Sequence, residues 1–352
     1  MTRSVRAIAA GALVALAVLA PGAGAETRTR FDTDVFALIP SPGFPAHAYV
    51  APNHRVYEGT YTNPAGDSVP SRVFEYSRGG TLLRSWTIAG QDLAAEHGVQ
   101  VASSDARGRL VLLDKAPARV LTLNPRTGRQ RVYATFPSEA LPNYAAWGKR
   151  GELYVTDYTH ATIWRVRRGG GVARAWLQDP RLDGLEFGTT GIVLTADRHH
   201  LLVGQQSSAG LGDGNPSTGK IYEIGIGADR KPGAIRTVWE SNPFDGPDGF
   251  AVAESGRIYV TLLVANQLAV VGPDGAELER FPTGPGGDNG SAVPFDNPSS
   301  AMFSGRRLLV ANQSFIGGDA SHQAILDVWV GERGLRELIP PSAGRKRGRQ
   351  SA

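Results

Sequence analysis

The stretch Pro247-Asp-Gly-Phe-Ala-Val-Ala-Glu-Ser-Gly-Arg-Ile-Tyr-Val260 lies over Pro142-Asn-Tyr-Ala-Ala-Trp-Gly-Lys-Arg-Gly-Glu-Leu-Tyr-Val155 without a gap. Each copy is a short apolar run, a polar turn with glycine, and a second apolar run, which is how two strands joined by a tight turn read. Four more copies follow the same plan. They are His97-Gly-Val-Gln-Val101 leading to Gly108-Arg-Leu-Val-Leu112, Thr190-Gly-Ile-Val-Leu194 leading to Leu201-Leu-Val203, Ala46-His-Ala-Tyr-Val50 leading to Arg55-Val-Tyr57, and Asn297-Pro-Ser-Ser-Ala-Met-Phe303 leading to Arg307-Leu-Leu-Val310. A third strand follows each pair, for example Arg72–Tyr76, Thr162–Val166, Gln267–Val271 and Ala324–Val328, and fourth strands such as Leu83–Ile88 and Arg129–Tyr133 come after. Four strands recurring at a period of about 50 residues predict an all-β, six-bladed β-propeller with four antiparallel strands per blade. A β-solenoid is the rival, and its repeats are usually shorter.

The blades are expected from Pro45 to Pro340, with residues 26–44 as a lead-in and residues 341–352 as a tail. Arg3 and Arg6, an apolar run from Ile8 to Leu19, and Ala23-Gly-Ala25 form a secretory signal peptide pattern. Cleavage after Ala25 is expected, giving a secreted protein; an uncleaved anchor is the alternative, disfavoured because a membrane span needs about 20 apolar residues. There is no cysteine, hence no disulfide, thiolate nucleophile or cysteine-bound zinc. The net charge of +4 comes from the two ends, where Arg3, Arg6, Arg345, Lys346, Arg347 and Arg349 lie, so no nucleic-acid partner is expected. The tail from Ser342 reads as solvated and disordered. A closed ring needs no oligomer, so a monomer is expected.

In a propeller the innermost strand of each blade lines a central channel, and the residues at its start meet at one mouth. Aligned on the repeat, these are Ala46, His97, Asn143, Thr190, Asp248 and Asn297. One carboxylate, one or two amide oxygens and an imidazole suit a divalent cation, calcium first, with manganese or zinc as alternatives. Asp248, between Pro247 and Gly249, is either a metal ligand and catalytic group or a turn aspartate. Asn143 and His97 are the other candidate ligands, each with a plain hydrogen-bonding alternative. His47, Tyr144, Thr190 and Asn297 are candidate substrate contacts. The Gln205–Gly219 insertion contains Asp213-Gly-Asn215-Pro-Ser217, a weak likeness to a calcium loop without its closing glutamate. Gly79-Gly80 and Gly169–Gly171 read as hairpin turns. No G-x-S-x-G, H-E-x-x-H or P-loop is present, so serine, zinc-peptidase and nucleotide chemistry of those types is unsupported.

Gly246-Pro-Asp-Gly-Phe-Ala-Val252 resembles the Pro-Asp-Gly-Met-Ala-Val segment of the SMP-30/gluconolactonase/LRE-like family, whose aspartate ligates a divalent metal. Pro142-Asn143 sits where that family has a channel-mouth asparagine. Thr189–Ile192 is similar to its Asn-Gly-Leu segment, with Thr190 in place of the ligand asparagine, and Ala46 stands in place of the ligand glutamate of its Glu-Gly-Pro. The resemblance implies a metal-dependent lactonase acting on a small molecule. His47 or His97 could replace the missing ligand, and Glu58 or Glu186 lies near the blade 1 or blade 4 segments. Three readings follow: a lactonase-like hydrolase, a non-catalytic ligand-binding propeller with a degraded metal site, and a surface-interaction protein acting through its blade edges or basic tail. The number of ligands gathered at the mouth separates the first two.

Overall fold

The computed structural model describes residues 28–185, 187–208 and 217–343. The proposed signal peptide, Glu186, Asp213, Asn215 and the basic cluster from Arg345 to Arg349 lie outside the described residues. The chain forms six antiparallel sheets in sequence order around one axis, a six-bladed propeller as the repeat predicts. Their inner strands are Tyr49–Val50, Val99–Ser104, Pro142–Trp147, Thr189–Leu194, Pro247–Val252 and Pro298–Ser304. We number the blades 1 to 6 in that order.

The second strand of each blade is buried on both faces, as in Leu110–Asp114, Leu153–Asp157 and Ile258–Leu262. Alternation then sends neighbouring residues to opposite blades. Leu153 and Val155 pack toward blade 2 with Trp147, Val111 and Leu113, while Tyr154 packs toward blade 4 with Leu201 and Val203. Six apolar clusters result, one in each gap between adjacent blades. This is why the inner strands read as near-continuous apolar or small residues instead of a strict alternation.

The ring closes with strands from both ends of the repeat. Blade 6 takes only three strands from its own repeat, and Thr33–Leu38 adds the outermost one, antiparallel to Ala324–Trp329. The segment ahead of Pro45 therefore completes the propeller. Thr33 pairs with Val328 and Leu38 with Ala324, and Arg28 bonds Asp327 at 2.8 Å beside that edge.

Blade 2 gains a fifth strand, because Gly171–Val172 from the hairpin of blade 3 pairs in parallel with its outer strand. Gly170 sits there at φ +87°, and a Cβ would fall 2.0 Å from the Tyr133 carbonyl oxygen, so only glycine lets the turn approach.

The chain beyond the last strand does not leave the fold. Leu335 donates to the Val252 carbonyl at 2.7 Å and Glu254 to that of Arg333 at 2.8 Å, on blade 5. Ser103 of blade 2 donates to Glu337 at 2.6 Å. Ala106 donates to the Pro340 carbonyl at 2.9 Å, and Ala343 to Asp105 at 2.8 Å. Residues 333–343 thus form a strap across one end of the channel, from blade 5 to blade 2, which stand opposite each other in the ring. Ser342 and Ala343, read from sequence as the start of a disordered tail, are docked on Asp105 and Arg109.

Trp147 tests the inter-blade packing. It is 1% exposed, donates to Ser103 at 3.1 Å and meets Tyr133 edge-on at 6.2 Å. Trp147→Ala should cost about 3–5 kcal/mol, read as a lower guanidinium midpoint. Val172→Ala, at a 71% exposed position, should stay within about 0.5 kcal/mol of the parent.

Candidate functional site

Tyr144, the third residue of the inner strand of blade 3, organises the channel. Its hydroxyl donates to the Ser299 carbonyl of blade 6 at 2.8 Å, so the side chain spans the channel between opposite blades. His47 of blade 1 meets the ring edge-on at 5.4 Å. The backbone of blade 5 lies directly against it: a Cβ on Gly249 would be 2.7 Å from the Tyr144 hydroxyl and 2.8 Å from the Ser299 oxygen. The glycine of Pro247-Asp-Gly249 is thus required by the crossing tyrosine.

Asp248 is beside this crossbar. It is 6% exposed, its Oδ1 has no hydrogen-bond partner, and burial pushes its carboxyl well above the usual carboxylate range, opposed only by the neighbouring Tyr144 hydroxyl. Thr190 donates its hydroxyl to the Asp248 backbone carbonyl at 3.0 Å, tying blades 4 and 5 together. Asn143 is buried, and its Oδ1 accepts from the Tyr61 hydroxyl at 3.1 Å. These three residues and Tyr144 form one layer of the channel.

The other sequence candidates are placed differently. His97 is fully buried, with Nε2 2.8 Å from the Val69 carbonyl and Nδ1 3.0 Å from that of Ala95. Both ring nitrogens are taken by a loop of blade 1 and its own chain, so it contributes nothing to the channel layer. Asn297, at φ +53°, receives the Ile316 amide on Oδ1 at 2.7 Å and donates to the Leu263 carbonyl at 3.1 Å. It is a joint between the loops of blades 5 and 6. His47 does reach the channel: burial lowers its imidazole to about 4, so it is neutral at physiological pH, and its Nδ1 is buried without a partner.

A carboxyl does stand near Ala46, supplied from the second strand of blade 1. Glu58 Oε1 accepts the backbone N–H groups of Ala46 at 3.2 Å, His47 at 3.3 Å and Gly59 at 3.0 Å, and Oε2 has no partner. Burial raises this carboxyl to about 8 against those three bonds. Glu58 and Asp248 both act electrostatically on the Tyr144 hydroxyl.

The donor set therefore does not fit a divalent metal. A calcium site wants six to eight oxygens, several of them charged. Here Ala46 has no side-chain donor, Thr190 spends its hydroxyl on a carbonyl, His97 is held by two backbone carbonyls, Asp248 is the one carboxyl among the ring positions, and Glu58 spends one oxygen on three backbone N–H groups. Among the described residues no three His, Cys, Asp or Glu side chains come together as a metal site.

Below Tyr144 the channel widens, because small residues line the lower halves of five inner strands: Ala102, Ala146, Gly191, Ala251 and Ala301. The cavity there has a volume of about 1380 Å³, with His47 and Tyr144 at its inner end and the strap at its outer end. Neither the cavity nor the strap shows in the repeat, since both arise where repeats meet. Among the described residues no helix is long and apolar enough to cross a membrane.

No family model matches the chain, and no curated protein matches its sequence. Its shape does match solved structures. A gluconolactonase from Xanthomonas campestris is 16% identical, with 86% of this chain and 99% of that one covered and a TM-score of 0.55. A regucalcin from Agrobacterium tumefaciens, described as a calcium-binding protein, is 13% identical, with 87% and 98% covered and a TM-score of 0.54. Virginiamycin B lyase from Staphylococcus aureus is 15% identical, with 83% and 82% covered and a TM-score of 0.54. Identity this low establishes likeness of fold alone. What the chain shares with the gluconolactonase and the regucalcin is the six-bladed architecture of SMP-30/gluconolactonase-like propellers.

Proposed function

We propose that this protein is a small-molecule-binding propeller whose channel holds its ligand directly, without a divalent cation. One observation carries the reading. Of the eight buried side-chain polar atoms without a partner among the described residues, four belong to His47, Gln100, Asp248 and Ser300, on the inner strands or leading into one, and a fifth to Glu58. Buried polar atoms are normally paired, and this many unpaired ones along the inner strands support a site for an outside partner. The adjoining cavity gives such a partner room.

A second reading, hydrolysis of a cyclic ester, draws on the contact between Asp248 and Tyr144. A carboxyl kept protonated by burial can donate a hydrogen bond to a lactone carbonyl. The lactonase-like fold favours this chemistry, and the sparse ligand set disfavours its metal-dependent form.

Calorimetric titration with calcium, manganese and zinc, paired with proton release from δ-gluconolactone, decides between the two. We expect no binding that Asp248→Asn abolishes, and no metal-dependent turnover. Tight binding lost in the variant, with turnover, would restore the metal-dependent lactonase.

Glu58 gives a pH signature. A carboxyl raised from 4.5 to about 8 on folding stabilises the protein fully below pH 4.5, and that contribution is lost as pH rises through 8. Melting temperatures from pH 5 to 8 should fall more steeply in the parent than in Glu58→Gln, the gap widening by up to about 1.4 kcal/mol per pH unit. Parallel curves would show that Glu58 is not held protonated.

Secretion belongs to the same proposal and rests on the pattern of Met1–Ala25. N-terminal sequencing of exported protein should begin at Glu26; an intact Met1 would remove it.

A further inference from the structure

The cavity below Tyr144 has a charge as distinctive as its shape. Seven arginines and two glutamates line it, with no lysine or aspartate. Three of the arginines are engaged: Arg28 and Arg307 with Asp327, and Arg306 with the Gly331 carbonyl. The side chains of Arg78, Arg198, Arg333 and Arg336 make no ion pair or hydrogen bond among the described residues, and all four are exposed at the rim. Even the engaged Arg28 leaves its buried Nε without a partner. Of the two acids, Glu337 is bonded to Ser103 and burial raises it to about 7, which halves its charge near neutral pH.

Inward of this rim the walls are largely apolar, apart from His47, Tyr144 and Glu337. Ile192, Phe250 and Met302 stand among the small residues of the inner strands, and Leu335 and Leu338 face them from the strap. A cationic rim over a deep apolar chamber is complementary to a molecule with one anionic end and one apolar end. Arginine suits a carboxylate or phosphate because its planar donors meet two oxygens at once.

We propose that the chamber between Tyr144 and the strap binds an amphipathic organic anion, its apolar body against the inner strands and its carboxylate or phosphate held by Arg333 and Arg336 of the strap, with Arg78 and Arg198 across the rim. This rests on the reading of the channel as a small-molecule site and adds the ligand's class and position. The strap is part of the site, because it supplies two of the arginines and part of the apolar wall. Its tethers on blade 5 and blade 2 fix those arginines over the opening.

The test is calorimetry of the full chain with four ten-carbon amphiphiles below their micelle concentrations: decanoate, decyl phosphate, neutral decyl glucoside and cationic decyltrimethylammonium. Inorganic phosphate and vesicles of anionic lipid serve as further probes. We expect decanoate or decyl phosphate to bind at least about tenfold more tightly than the neutral and cationic chains, and Arg333→Ala/Arg336→Ala to remove that preference. Whichever anion binds more tightly identifies the head group. Equal binding of decyl glucoside would overturn the anion selectivity and leave the channel reading standing. Inorganic phosphate matching the amphiphiles would overturn the apolar half. Binding to vesicles alone, or to none of the probes, would overturn the chamber as a site for these ligands, while the metal titration above judges the channel reading separately. The arginines are exposed and unpaired, so the double variant should keep the parent melting temperature.

Discussion

Everything in this molecule depends on closing a ring. Six sheets can bury both faces only if each has a neighbour on either side, and the last gap is filled when Thr33–Leu38 pairs with Ala324–Trp329. Without that strand the cluster between blades 6 and 1, with Ala37, Ile39, Phe74 and Leu309, loses one wall. Radial closure also keeps the sheet edges short, which lets an all-β chain rich in apolar strands avoid pairing with its neighbours. Closure determines the channel as well: the inner strands are held at a fixed radius, so the size of the side chains they project decides whether the axis is filled or open. Tyr144 fills it at one level, and alanines and Gly191 leave it open below.

The fold was legible because packing repeats. The copies at Pro142 and Pro247 begin strands at the same residues, and the third strands Arg72–Tyr76, Thr162–Val166 and Gln267–Val271 form with the bounds read from sequence. The closing strand was not legible, because residues 33–38 belong to the last blade while preceding the first repeat. The parallel pairing of Gly171–Val172 also escaped, though its glycines were read as a hairpin turn. A two-residue bridge across blades has no periodicity to detect.

The site was legible in position more than in chemistry. Asp248, Asn143 and Thr190 do meet at the channel with Tyr144, as the repeat alignment requires. The alignment could not show what each side chain is bonded to. His97 has the right place in the repeat and the wrong direction, held by two backbone carbonyls. Glu58, on a second strand, lies outside the ring positions, yet its carboxyl holds the backbone where the ligand glutamate of the resembled family is absent. The strap had even less signal. Residues 333–339 read Arg-Gly-Leu-Arg-Glu-Leu-Ile, a pattern without meaning until the chain is seen to cross the channel.

The tyrosine that bridges blades 3 and 6 crosses the axis of this propeller, and its ring forms the inner end of the chamber that the strap covers. Asp248, Asn143 and Thr190 do not line that chamber, so of their layer Tyr144 alone faces it. In evolutionary terms Tyr144 is constrained twice, by the Ser299 carbonyl on the opposite blade and by the chamber it closes.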